Sequence, residues 1–441
     1  MRIAVLVVVV CLSALVSPAT ILAQDASEAE LIAQLQGKDS YLARKAAQQL
    51  SDGRKVSPDA IRALFVALDD RWISGAARSA LLALGPQAAL VLGKIVVDED
   101  QGEKARLSAL QTLDAIGDDA RAALPYATQA TQDPSSNVRY WALAVFNELE
   151  ADDERKVAMN TTMLSDEAAD VRSYAVQSLE VLGPKAQSAV PQITKLLDDS
   201  AERFYPISNH YYTTRPVCYD AALALAGIGD GAKSELPKLR QMMQDYEDGM
   251  ARIAAGYAVA RLQEDPQAGV EVLTAHLDPK SANGNETEEA VLLLLKLGAR
   301  ARAALPALKR TLQHEDGLIR ILSSSAIIEI DPANAEAAVL RLLDDEDSSV
   351  IVYAIEDLNN LPKLSNDAIA AFTKVLGKQD DWELDIFFDD AREAAAIALG
   401  SRGAQSINAL PKLRQLAKED PDEDVREAAA DAIKKIEGGT P

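Results

Sequence analysis

Apolar residues recur at helical spacing along almost the whole chain, and the helices they predict come in pairs at a fixed interval. After Arg172, the residues Tyr174, Val176, Leu179 and Leu182 mark one face of a helix. The same arrangement follows Arg139 and Arg106, each 33 residues earlier than the last, with Asn137-Val138, Asp170-Val171 and Lys104-Ala105 leading in. Gly117 and Gly183 then close the helix, which predicts left-handed caps. Eight residues on, a proline opens a second helix: Gly117 to Pro125, Gly183 to Pro191, Gly229 to Pro237 and Gly298 to Pro306. That helix carries paired apolar positions, as in Ile193, Leu196 and Leu197, and ends in an acidic turn, Asp198-Asp199. Neither helix can bury its apolar face alone, so the units must stack, and the fold class is all-α, an α-solenoid.

These residues resemble the HEAT-repeat family, in the short bacterial form also found in phycobilisome (PBS) lyase-like proteins. The family's pattern of Val-Arg, Ala-rich helix, Leu-Gly, Leu-Pro and Leu-Leu is met best at Val171 to Leu197, and the resemblance extends over about twelve helix pairs between Glu28 and Ile436. Departures exist: Gly93 replaces the proline of the second unit, Glu150 to Asp153 replaces a Gly turn, and the units from Gln263 and Asp331 lack Leu-Pro. The resemblance implies a right-handed superhelix whose concave groove is lined by the second helices. It also implies a structural ladder in which Arg78, Arg106, Arg139, Arg172, Arg252, Arg320, Arg392 and Arg426 pair with acids of neighbouring units.

Two segments interrupt the repeat, and stacking requires neither. At residues 201–216 the Gly-to-Gly spacing grows from 33 to 46, between Gly183 and Gly229. The insertion gathers Phe204, Tyr205, His210, Tyr211, Tyr212 and Arg215, in a chain with only eleven Tyr, six Phe and three Trp. Aromatic and arginine side chains on a loop suit partner binding, because they offer large contact area at small entropic cost. The alternative is that the loop plugs a groove and its aromatics serve as local core. The second break, residues 379–390, places Trp382, Phe387 and Phe388 among six acids. It reads either as a patch for a basic partner or as an extended connection with tucked aromatics.

Charge and the N-terminus narrow the function. The formal net charge of −23 disfavours nucleic acid as a partner. Residues 1–23 have the order of a secretory signal: Arg2 is the only charge before Asp25, Ile3 to Val16 is apolar apart from Ser13, and Ile21-Leu22-Ala23 offers a cleavage position. The mature chain, 24–441, is then expected to be exported, periplasmic or secreted, without a membrane span. Cys218 is its only cysteine and reads as a small buried residue.

No catalytic or metal-binding motif emerges. His210, His276 and His314 are dispersed, and the single His314-Glu315 pair falls short of a di-iron set. His314 itself reads as a solvated helix-end residue. The acid runs Asp98-Glu99-Asp100, Asp344 to Asp347 and Asp422 to Asp424 lack calcium-loop spacing and read as helix caps. The expectation is therefore an exported, non-enzymatic scaffold without a cofactor, holding another protein in its groove. A carbohydrate-binding or enzyme-accessory module, using the aromatic insertions, is the alternative.

Overall fold

The computed structural model describes residues 26–52, 55–208, 211–278, 284–378 and 390–438. Residues 1–23, read above as a signal, and His210, Trp382, Phe387 and Phe388 lie outside them. The chain divides into two compact units, Met1–Ala151 and Asp152–Pro441.

The first unit contains α1 (Glu28–Leu35), α2 (Ser40–Ser51), α3 (Pro58–Val66), α4 (Ser74–Leu84), α5 (Pro86–Val96), α6 (Glu103–Ile116), α7 (Leu124–Ala130) and α8 (Ser136–Leu149). The second begins with α9 (Asp153–Met163), α10 (Ala169–Leu182) and α11 (Val190–Lys195), followed by strands β1 (Glu202–Ser208) and β2 (Tyr211–Pro216). It continues with α12 (Val217–Ile228), α13 (Leu236–Asp245), α14 (Gly249–Leu262), α15 (Gln267–Ala275), α16 (Gly284–Leu297), α17 (Leu305–Thr311) and α18 (Gly317–Ile330). It ends with α19 (Glu336–Val339), α20 (Ser348–Asn359), α21 (Asn366–Val375), α22 (Ala391–Ser401), α23 (Leu410–Glu419) and α24 (Glu423–Gly438). Even-numbered helices are those that begin near the repeat arginine, and odd-numbered helices are the shorter ones that follow the Gly turn.

The joint between the two helices differs from a left-handed cap. Gly117 has φ 66° and ψ −140°, Gly183 φ 56° and ψ −130°, and Gly229 φ 74° and ψ −130°. That region is open to glycine alone, because a Cβ would collide with the backbone. From it the chain runs through one 3₁₀ stretch, such as Gly183–Ala189, into the next helix, where proline occupies the first turn. Gly93 proves to be a packing residue: a Cβ there would stand 2.5 Å from Cδ2 of Tyr126, while Pro86 opens α5 directly after Gly85.

Within the second unit the even-numbered helices lie against one another, α10 on α12, α12 on α14, α16 on α18 and α22 on α24. Successive odd-numbered helices there meet one another more sparingly. The closer-packed row is that of the arginine-bearing helices. α12 is buried from Val217 to Ala226 without a break.

The arginine ladder is present and has a definite construction. Arg106 donates to Asp133 at 2.8 and 3.1 Å, Arg320 to Asp345 at 2.8 and 2.9 Å, Arg172 to Asp199 at 2.7 Å, and Arg392 to Asp420 at 3.1 Å. The same arginines, or their successors, also donate to carbonyls of their own turn. Arg172 reaches Asp166 O and Glu167 O at 2.8 and 2.9 Å, and Arg320 reaches His314 O and Glu315 O at 2.8 and 3.0 Å. Arg78, by contrast, is exposed and joins no such pair among the described residues.

One close crossing is sharply defined by glycine. A Cβ on Gly269 of α15 would lie 2.6 Å from the backbone nitrogen of Ala260 in α14 and against the carbonyl oxygen of Gly256. Gly269→Ala is expected to destabilise the protein by about 2 kcal/mol through overpacking. Gly102→Ala, with open space around it, is the control that should lower the denaturation midpoint far less, its cost limited to the N-cap preference of α6.

Candidate functional site

The first insertion folds as an antiparallel hairpin, which the helical pattern did not announce. Its register pairs Glu202 with Pro216, Arg203 with Arg215, Phe204 with Thr214, Tyr205 with Thr213, Pro206 with Tyr212 and Ser208 with Tyr211. Four candidate aromatics therefore stand on the two strands, Phe204 and Tyr205 on β1 and Tyr211 and Tyr212 on β2. The hairpin is closed at its root by Val217 N–H donating to Ala201 O at 3.0 Å and Cys218 N–H to Asp199 O at 2.9 Å. The solenoid thus resumes where it left off. Enrichment in aromatic and β-branched residues on both sides of Ser208-Asn209 was the available signal for strands.

The root lies against α10, α12 and α14 and carries two opposed arginines. Arg215 donates to Glu289 of α16 at 2.6 Å, and its guanidinium sits 4.9 Å from the Tyr219 ring centroid. The Tyr219 hydroxyl donates to the other oxygen of Glu289. Arg203 lies 3.7 Å from Asp170 and donates to Ser173 at 3.4 Å; Ser173 and Gln177 in turn donate to Asp220, the latter at 3.0 Å. Asp220 and Glu289 are each only 5% exposed, and both are answered from more than one side. Arg215, a predicted contact residue, is thus engaged within the chain.

Burial sets the chemistry of this cluster. It raises the Tyr219 hydroxyl well above its usual range, reinforced by the Glu289 charge. It raises the Asp220 carboxyl too, against hydrogen bonds from Ser173 and Gln177 that pull it down. Glu180 on the same row is raised by burial, with Lys296 opposing. Cys218 is fully buried and its thiol is pushed up to about 12, chiefly by burial, so it is an inert core residue. His276 meets Glu286 at 2.9 Å. His314 is not solvated: it is 4% exposed, and its Nδ1 accepts the Asp316 N–H at 3.0 Å. Among the described residues no group of three or more His, Cys, Asp or Glu is placed to hold a metal ion. Two of the acid runs cap, with Asp347 accepting from Ser349 N–H at 2.9 Å and Asp422 from Asp424 N–H at 2.8 Å, whereas Asp98 accepts from Asp100 N–H within its turn and α6 starts after Gly102 without a side-chain cap.

Residues 384–441 match the family model for HEAT repeats. None of the curated proteins compared with the chain matches it in sequence. Among solved structures, importin beta crystallised in ammonium sulfate is similar over 93% of this chain and 62% of its own, with TM-score 0.57 and 13% identity. Yeast importin-beta (Kap95p) is similar over 96% of this chain and 67% of its own, with TM-score 0.55 and 13% identity. Kap95p in a structure with RanGDP gives TM-score 0.55 and 13% identity, over 93% of this chain and 61% of that one. The chain therefore spans about three fifths to two thirds of these proteins, and identity at this level speaks for the fold. The fold is an α-solenoid, and its C-terminal part, residues 384–441, matches HEAT repeats.

Two measurements test the site. Glu289→Ala leaves Arg215 and Tyr219 without their shared acceptor, so amide exchange of residues 211–216 should accelerate by about tenfold or more. Exchange in α18 to α24 should stay as it was. Asp357, which accepts from Ser324 at 2.6 Å and Ser325 at 3.1 Å, has its carboxyl raised by burial to about 6. Its contribution to stability is complete below the ordinary carboxylate range and is lost as pH rises through about 6. Asp357→Asn should remove that loss from the stability–pH curve.

Proposed function

We propose that this chain is an exported scaffold that holds a partner protein against the inner face of its repeat stack and performs no chemistry of its own. The observation that carries this reading is the hairpin, fixed at its root by Arg203 and Arg215 across α10 to α16, on whose strands four aromatic residues stand. A stack of helix pairs offers a long surface and little enclosed volume, which suits an extended partner better than a small substrate. The cluster beneath the hairpin is a satisfied network, with its thiol held protonated and its carboxylates partnered, and it lacks a poised nucleophile or base. Kap95p, one of the proteins of similar fold, is seen with RanGDP, which supports a protein partner by analogy of architecture. Export rests on the signal-like segment 1–23.

The test is affinity capture from the extracytoplasmic fraction with the chain from Gln24 onward, run beside a form in which residues 203–215 are replaced by a short linker. A partner retained by the intact chain and lost by the linker form is the expected result. If neither form retains a protein and export of the full chain is not observed, the scaffold reading fails.

A further inference from the structure

The first unit carries a cleft of its own, built without the hairpin. It opens where the C-terminal ends of α3 and α5 part from the first turns of α6, and its volume is about 450 Å³, within the range of ligand sites. Phe65 and Ile95, 9% and 8% exposed, line it from α3 and α5, with Leu68 and Ala105 half-buried beside them. Val66 also lines it and is 68% exposed, so the apolar lining continues out to solvent. Gly102, at the start of α6, adds no side chain to the wall, and nothing lies within 4 Å of where its Cβ would stand.

The charges around this lining are unevenly answered. Lys104 is paired with Asp69. Asp98 is occupied within its own turn, accepting from Asp100 N–H at 3.1 Å and from the Gln101 amide at 3.3 Å. Arg62 of α3 and Lys94 of α5 remain, both exposed and neither with a partner among the described residues. A neighbouring cleft of about 340 Å³, at the ends of α5 and α7, has Arg106 in its lining, but that cation is already held by Asp133 at 2.8 and 3.1 Å. The stretch of chain around the larger cleft is also locally basic. Residues 38–97 hold nine Lys and Arg against five Asp and Glu, in a chain whose net charge is −23.

The geometry points to a binding site for an acidic peptide segment of a partner protein. An apolar residue of that segment seats against Phe65, Val66 and Ile95, and carboxylates flanking it are held by Arg62 and Lys94. The apolar contact supplies most of the affinity, while the two cations select acid over base and steer the approach. A nucleic acid offers the charge but no aliphatic side chain for the lining. This deepens the scaffold reading by naming the chemistry of the partner at one contact, and rests on it.

The probe is a fluorescein-labelled hexapeptide with two leucines between paired aspartates, titrated by anisotropy against the chain from Gln24. Its controls are the same peptide with serines for the leucines, and with lysines for the aspartates. Saturable binding, about tenfold tighter than either control, is expected. Arg62→Gln with Lys94→Gln, and separately Val66→Asp, should each weaken it by about tenfold. Lys38→Gln with Lys45→Gln, exposed cations of the same unit outside the cleft, should not weaken it, and circular dichroism of every variant should match the parent. Equal loss in that control pair, no preference over the serine peptide, tighter binding of a single-stranded DNA hexamer, or no binding at all overturns the site. In the affinity capture, a partner whose retention survives both cleft variants leaves the scaffold reading standing and overturns this site. The expected peptide results without any captured partner support the site and count against the scaffold reading.

Discussion

The stack depends on one repeated electrostatic joint. In each complete rung an arginine near the start of an even-numbered helix reaches forward to the aspartate of the next turn and back to the carbonyls of its own. Asp133 receives Arg106 on its carboxylate and gives its backbone carbonyl to Arg139 at 2.9 Å; Asp420 does the same for Arg392 and Arg426. A single turn residue thereby ties two successive arginines. The aspartate carboxylate also accepts a local N–H, Ser135 for Asp133 and Asp422 for Asp420, so it shapes the turn while bridging repeats. Such pairs are well buried, with Arg320 and Arg392 only 7% and 6% exposed. A buried ion pair adds little stability over an apolar substitute, but removing one partner alone costs about 3–5 kcal/mol. The ladder therefore works less as a source of net stability than as a device that fixes how one repeat sits on the next.

The departures obey that logic. The repeat arginine stands eleven residues before the Gly turn, as Arg172 does before Gly183, and by that count α12 has Cys218 and α16 has Thr287 in its place. The turn residues that would have met those arginines are not aspartates either. They are Tyr246 and His314, six residues before Arg252 and Arg320. Both keep the backbone half of the joint, with Tyr246 O accepting from Arg252 at 3.2 Å and His314 O from Arg320 at 2.8 Å. His314 even reproduces the aspartate's local role, its Nδ1 accepting the N–H two residues on. Losing the cation without losing the acid would leave an uncompensated buried charge, and both changes together avoid it. The buried position of His314 follows from this slot, which its residue type alone does not disclose.

Much of the fold was legible because repetition amplifies weak local signals. The arginine spacing, the Gly turns and the Leu-Pro starts each recur, so the helix pairs could be read from residues, and the ladder followed from the family resemblance those residues carry. What could not be read depended on distant contacts. The pairing of Arg215 with Glu289 joins residues 74 apart, and the hairpin holding it has strands too short to stand out beside helices. Which helix row packs more closely was likewise hidden, because both rows carry similar apolar faces. The aromatic enrichment of 201–216 was visible, but its division into a buried root and a strand pair was not.

The placement of the hairpin follows from the joint itself. An insertion into a helix would break the row, and one at the Gly turn would displace the 3₁₀ stretch that seats the next helix. The acidic turn after Asp199 tolerates one because its bridging contacts come from Asp199 and from the N–H of Cys218, on either side of the added residues. The hairpin inserted there lies against α10, α12 and α14, and its root meets the polar residues at the helix starts. Two buried carboxylates then require cations, which Arg203 and Arg215 supply beside the aromatic strands. The feature most suited to recognition thus arises where the stack can accept extra chain without losing register.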